Sequence, residues 1–282
     1  VKRGKKMKKI INKIGKTQPI TLFVLGIFAL ISLYPLFFTF VTSFKNNTEF
    51  YANFFGLPSK LRWDNYLPVI GSVLLWLKNS AIYSGITVIL VLIITSFAGY
   101  AFARFDFKMK NVLFYLMLST MMLPGILMLP ALYVEIVKFN WNNTIWALIF
   151  PWITGSIPAD VFILRRFFAS EAVEVFEAAK IDGASEFRIL ISIALPLARP
   201  ILSTIAILSI LGTYNDLLWP LIVISKDSLM PVNTGILTLS GGGVLTTGNT
   251  FAAYVIAILP MLIVFAFLAK QFVKALTEGI IR

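Results

Sequence analysis

Long apolar runs alternate with short polar connections along this chain of 282 residues, and each run is close to the length of a membrane crossing. The charge-poor stretches are 20–44, 81–103, 112–134, 144–164, 201–224 and 251–269. An α-helix needs about 20 apolar residues to cross roughly 30 Å of hydrocarbon, so each stretch predicts one spanning helix. The fold class expected is all-α: a polytopic membrane protein with six transmembrane helices. A basic tail over 1–18 precedes a single transmembrane domain over 19–282.

One polar stretch, 170–200, interrupts the pattern between the fourth and fifth runs. Its caps and breakers predict two short helices. Ser170 is placed to cap the first, whose opening turn carries Glu171 and Glu174 where carboxylates favour the positive end of the dipole. Good helix formers run on to Ile181, and Asp182-Gly183 stops them, because glycine tolerates the left-handed conformation past a helix end. Ser185 caps the second helix, expected to run through Ile193 and to end before Pro196, with Pro200 opening the next segment. Ala172, Phe176, Ala179 and Gly183 share one stripe of the first helix, a small-residue face around one aromatic that suits docking into a partner's groove.

Composition narrows the chemistry. The chain is 58% hydrophobic and 13% charged, with a mean hydropathy of +0.85. It contains no Cys and no His. Disulfides and thiolate metal sites are thereby excluded, and the commonest catalytic base and metal ligand is missing. No catalytic residue and no metal site is expected. The net charge of +12 raises nucleic acid as a partner, and the distribution of bases decides against it. With six spans, nineteen of the 25 Lys and Arg residues fall on the side shared by both termini, the 104–111 connection and the 165–200 stretch. Bases mark the cytoplasmic side, so the termini and the polar stretch are expected in the cytosol. The first run is longer than a signal-peptide core and no small-x-small site follows it, which predicts an uncleaved span.

Polar groups inside the spans are few. Pro124, Pro130, Pro151, Pro158, Pro220 and Pro260 interrupt otherwise good helices, as a packed, partly hydrated bundle tolerates. Asp160 lies about a turn from Arg165 and Arg166, and a local ion pair is its expected explanation. Asp216 has no basic neighbour in sequence. With Tyr214, Asn215 and Trp219 it forms a polar and aromatic cluster that either lines a passage or bonds between helices. Trp63, Trp76, Trp141 and Trp146 suit an aromatic belt. Outside the spans, 45–72 with Pro58, Trp63, Asp64, Tyr66 and Pro68 predicts a short ordered excursion on the outer surface. Gly241-Gly242-Gly243 is not followed by Lys-Ser/Thr, so it is no phosphate loop; a flexible connector is an even alternative to a functional loop.

Several of these segments resemble one family. Glu177-Ala178-Ala179, then Gly183, Ile193 and Leu195-Pro196, fill the spaced pattern of the EAA loop in membrane subunits of bacterial ABC importers. The segments 98–105, 215–220 and 271–279 resemble the maltose-type carbohydrate permeases within it, above all the smaller six-span permease. The resemblance covers the chain from about residue 20. Tyr214 departs from it by standing where Trp is frequent, which weakens any stacking role there. Met109 departs at a position that is commonly small.

The resemblance implies a permease subunit of an ATP-driven importer for sugars or oligosaccharides, in the bacterial cell membrane. Its partners would be a second homologous permease, two ATP-binding cassette subunits, an extracytoplasmic solute-binding protein, the lipid bilayer and a sugar substrate. This chain would bind no cofactor, with ATP and Mg on the partner ATPases. The loop's first helix would be the coupling helix. There Glu177 would anchor by pairing with a base, Ala178 and Ala179 would permit close approach, and Gly183 would make the turn, with Asp182 and Ala184 in the same ATPase-docking site. Tyr214, Asn215, Asp216 and Trp219 are candidates for the translocation pathway, and Gly241, Gly242 and Gly243 for contact with the binding protein. Runner-up readings are a permease for polyols, glycerol-phosphate compounds or anionic saccharides, and an ion-coupled secondary carrier.

Overall fold

The structure, a computed structural model, describes residues 2–170, 173–242 and 245–280, with side chains described at 19, 21–170, 175–242 and 245–263. Every described regular element is helical, as expected. Helix α1 (Lys2–Thr42) carries the basic tail into the first apolar run, and α2 (Asn47–Ala52) follows. Next come α3 (Leu67–Arg104), α4 (Lys110–Ser119), α5 (Gly125–Lys138), α6 (Trp146–Ser170) and α7 (Val173–Ile181). The chain continues through α8 (Glu186–Ile189), α9 (Leu195–Leu197), α10 (Arg199–Asn215), α11 (Leu218–Val223), α12 (Val232–Gly241) and α13 (Thr247–Ile280).

Among the described residues, Thr21–Thr42, Leu67–Arg104 and Trp146–Ser170 are each long and apolar enough to cross a membrane unbroken. Two more candidates are bent pairs. The third expected span folds back by 108° between α4, with its closing 3-10 turn, and α5. Pro124 supplies the reason, since its ring drives the preceding residue out of the helical region, and Leu123 has ψ 124°. The second bent pair turns by 75° between Glu186–Leu197 and Arg199–Asn215. Pro130, Pro151, Pro158 and Pro260, by contrast, sit inside helices that continue. The sixth expected span begins in α13 and passes residue 263, where the described side chains end.

The chain divides into two compact units. The first comprises 1–70 with 242–256. The excursion expected over 45–72 is ordered but ends at residue 66, before α3 begins, and Lys45 holds it. The Lys45 side chain is 1% exposed, and its ammonium donates to the Asn53 and Phe54 carbonyls at 2.9 Å each. Asn65 donates to the Ser43 and Lys45 carbonyls, and Asn249 at the start of α13 donates to Asn65 O. Gly248 is a required close approach, because a Cβ there would lie 2.2 Å from Lys45 O.

The second unit comprises 71–241 with 257–282. Its core joins Val91, Tyr100, Ile149, Leu164, Phe168, Phe176 and Ile189, from α3, α6, α7 and α8. Gly99 lets α3 and α6 meet: an added Cβ would lie 2.7 Å from Leu164 Cβ. The 226–236 segment is strapped to α3. Trp76 Nε1 donates to Asp227 O, Asn79 to Ser228 O and Met230 O, and Tyr83 to Leu229 O. The Val232 N–H donates to Ser80 Oγ at 2.9 Å. Within the outer connection, 226–231 is thus a docked segment whose carbonyls Trp76, Asn79 and Tyr83 satisfy, and it leads into helix α12.

Candidate functional site

The polar stretch folds into helices, with its boundaries shifted from the sequence expectation. Ser170 belongs to α6, where its hydroxyl donates back to Arg166 O at 2.8 Å. Glu171 and Ala172 lie outside the described residues, as does the side chain of Glu174. Helix α7 ends at Ile181 as expected. Gly183 takes φ +81°, the left-handed turn that favours glycine. The Ala184 N–H then bonds Ala179 O at 3.0 Å. Ser185 does cap α8, accepting from the Arg188 N–H.

The second helix does not end before Pro196. It continues as a π turn over Leu190–Ala194, in which the Leu195 N–H reaches Leu190 O, and then as α9 to Leu197. A π turn absorbs the donor that proline lacks, so Pro196 sits inside the element. Pro200 opens α10 as expected.

Of the small-residue stripe, Phe176 and Ala179 face inward rather than toward a partner, Gly183 is exposed, and Ala172 lies outside the described residues. Phe176 is 1% exposed, with its ring edge-on to Tyr100 and Arg104 over its face at 5.2 Å. Ala179 and Ala184 pack against the same core. Burying one aromatic anchors α7 to its own unit, and the opposite face is free. There Glu177, Ala178, Asp182 and Gly183 are exposed, and Val175 and Ile181 are 48% and 87% exposed. Val175, Ala178 and Ile181 recur every third position, which places them along one exposed row.

A side-chain fork fixes this loop. Glu186 accepts from the Tyr100 hydroxyl at 2.8 Å and from Lys180 at 3.0 Å, one partner to each carboxylate oxygen. The hydrogen bonds from Lys180 and Tyr100 hold the Glu186 carboxyl below its ordinary value of 4.5, against the opposing effect of partial burial. Tyr100 lies in the 98–105 segment and Glu186 in the polar stretch, but their pairing was not legible in the sequence, because 86 positions separate them.

A cavity of about 590 Å³ lies between α3, α6 and α10. Thr87, Trp152, Ser156, Asp160, Asn215 and Asp216 supply most of its polar lining. The expected Asp160 ion pair is absent: Oδ2 of Asp160 has no hydrogen-bond partner, and Arg165 lies over the Phe114 ring at 3.8 Å. Helix geometry explains the miss, since at 3.6 residues per turn positions five and six apart point away from one another. The 214–219 cluster divides. Asn215 and Asp216 line this cavity, whereas Tyr214 lines a separate, mostly apolar one of about 620 Å³ and donates to Ala257 O. Trp219 is 4% exposed and bonds between helices, donating to Ala147 O at 2.8 Å. Asp216 does both, because its Oδ2 accepts from Trp152 Nε1 at 2.7 Å. It also ends α10 with ψ 124°, so the fifth expected span breaks there before α11. Thr87 and Trp152 were missed because each sits inside an ordinary apolar run.

Gly241 and Gly242 are exposed at the end of α12; Gly243 lies outside the described residues. No group of three or more acidic side chains able to hold a metal occurs among the described residues.

Comparison with known proteins identifies the class. Residues 96–278 match the model of the binding-protein-dependent transport system inner membrane component family. The chain is 36% identical to the arabinooligosaccharides transport system permease protein AraQ of Halalkalibacterium halodurans, over 94% of this chain and 98% of that one. It is 31% identical to the trehalose/maltose transport system permease protein MalG of Thermococcus litoralis, over 90% and 93%. Its fold is similar to a chain of a bacterial ABC transporter involved in the import of the acidic polysaccharide alginate, with a TM-score of 0.76 at 22% identity and coverage of 90% and 95%. The chain belongs to the binding-protein-dependent transport system inner membrane component family. It is a multi-pass membrane transport subunit and not an enzyme.

Proposed function

We propose that this chain is the permease subunit of an ATP-driven importer for sugars or oligosaccharides, and that α7 is its coupling helix. The observation that carries the reading is the asymmetry of α7: Phe176 anchors one face, while Glu177, Ala178 and Ile181 stand free on the other. Two ATP-binding cassette subunits that carry ATP and Mg would receive that face. A second homologous permease would complete the pathway, and an extracytoplasmic binding protein would deliver substrate near Gly241, Gly242 and Gly243. The substrate class is carried over from the relatives' names, an arabinooligosaccharide and a trehalose/maltose system among them. The six-span topology over 19–282 would put both termini and the 165–200 loop in the cytosol of a bacterial cell.

In this reading ATP closes the partner ATPases, α7 moves with them, and the helices that flank the loop are carried into the outward-open state. Glu177 pairs with a base of the ATPase, and Gly183 makes the turn that no β-carbon-bearing residue adopts without strain. The test is uptake and ATP hydrolysis by the reconstituted importer carrying Glu177→Lys or Gly183→Pro. Hydrolysis without uptake is expected. Wild-type uptake in either variant would sink the coupling role, and uptake with hydrolysis blocked but ion gradients intact would favour the secondary carrier.

A further inference from the structure

The cavity of about 620 Å³ between α3, α10 and α13 differs in kind from the polar one, because its hydroxyls already have partners within the fold. Ser80 Oγ accepts from the Val232 N–H, Ser84 Oγ pairs with Thr213 Oγ1, and the Tyr214 hydroxyl donates to Ala257 O. A hydroxyl-rich ligand would find few groups to bond there, whereas a hydrocarbon chain needs none. Ala81 and Gly85 are exposed, so the groove opens along the side of α3. A Cβ on Gly85 would meet nothing within 4 Å. On α3 the lining runs from Leu77 to Ile89, about 18 Å at roughly 1.5 Å per residue, which is close to the roughly 15 Å depth of one leaflet's hydrocarbon. Lys78 is the one charged residue in this lining among the described residues. It stands at the end of the groove away from Tyr100, which bonds Glu186 of the 165–200 loop. Along the continuous helix the two are about 33 Å apart, roughly one hydrocarbon thickness, so Lys78 lies at the membrane surface opposite that loop. It is exposed and forms no ion pair among the described residues.

We propose that this groove holds an acyl chain of an anionic phospholipid from the leaflet opposite the 165–200 loop, with Lys78 paired to its headgroup. A ligand that joins an apolar chain to a negative charge matches both the groove and the lysine at its end. Bilayer hydrocarbon is as apolar as the groove, so the chain by itself gives little preference for one lipid over another, and the headgroup decides. A lysine at the surface favours a headgroup of net negative charge over a zwitterionic one by about fivefold. Pro260 and Met261 form the α13 wall, and the unbranched thioether of Met261 adapts to a flexible chain.

The test is photolabelling of the complete importer in liposomes that carry phosphatidylglycerol or phosphatidylcholine with a diazirine in one acyl chain. Adducts on this chain are mapped by mass after illumination. They are expected on 77–89 and on Pro260 or Met261, with phosphatidylglycerol in about fivefold excess. Lys78→Gln should level the two lipids, and Lys78→Arg should keep the difference. Gly85→Leu fills the groove and should remove the adducts from 77–89. Adducts on 22–31 of α1, which is exposed, should persist in that variant and show that it is inserted. Raised salt should narrow the phosphatidylglycerol excess and leave the phosphatidylcholine adducts as they are. Equal labelling of 77–89 by the two lipids in the unaltered chain would overturn the headgroup pairing, and the site with it. Adducts undiminished by Gly85→Leu would show that the acyl chain does not lie in the groove. No lipid adduct on 77–89 beside normal labelling of 22–31 would overturn the proposal and leave this face to a partner helix.

Discussion

The Tyr100 hydroxyl, near the end of α3, donates to Glu186 Oε2 at 2.8 Å, and Lys180 at the end of α7 takes the other oxygen of the same carboxylate. One side chain thereby ties a spanning helix to the loop proposed to receive the motion of the ATPases.

Tyr100→Phe and Glu186→Gln should each lower the thermal stability of the purified importer, and the two effects should not add. A hydrogen bond to a charged group contributes about 1.5–3 kcal/mol, so a coupling energy of about 1–2 kcal/mol is expected from the double-mutant cycle. Fully additive losses would show that the contact contributes nothing.

The fork also has a pH dependence. Glu186 is held below its ordinary value of 4.5 by Lys180 and Tyr100. A group whose folded value is depressed contributes stability above its unfolded value and loses it as pH falls through the folded one. Amide protection of 176–189, corrected for intrinsic exchange, should therefore stay level from neutral pH to about 4.5 and fall below it. Glu186→Gln should remove that step.

The two faces of α7 should behave as opposites. Phe176→Ala empties a buried aromatic site and should cost about 3–5 kcal/mol of stability. Ile181→Ser alters a side chain that is 87% exposed and should stay within about 0.5 kcal/mol in thermal unfolding of the isolated permease. It should nevertheless weaken co-purification with the ATPase subunits. Equal retention of the ATPases by Ile181→Ser and wild type would argue that this row is not the docking face.

Glycine substitutions should separate by geometry. Gly99→Ala and Gly235→Ala push a β-carbon against Leu164 and against the Trp76 ring, and overpacking of this kind costs about 1–3 kcal/mol. Gly212→Ala meets nothing within 4 Å and should be neutral or stabilising by up to about 1 kcal/mol, since it also raises helix propensity. Melting temperatures in detergent would rank the three.

The apolar runs were enough to read the fold class, because a membrane crossing leaves few alternatives to a helix of about 20 apolar residues. The polar stretch was equally legible in its local signals: Ser185 caps α8, Gly183 takes the left-handed turn and Pro200 opens α10, since each of these is decided within four residues of itself. Which face of α7 looks outward was not legible, because Phe176 is covered by Tyr100 and Arg104 of α3, partners that no spacing within α7 reveals. The polar cluster at 214–219 likewise read as one patch, yet a break at Asp216 sends its members to two cavities and a buried interhelical bond. Asp160 shows the division most plainly. Its sequence neighbours suggested an arginine partner, whereas helix geometry turns those arginines away and only the packing of α3 and α10 against α6 puts it in the lining of a cavity with Thr87 and Asp216. Local chemistry set the helix ends at Gly183, Ser185 and Pro200, though not at Ser170 or Pro196, and contacts between residues far apart in the chain set what each helix face can touch.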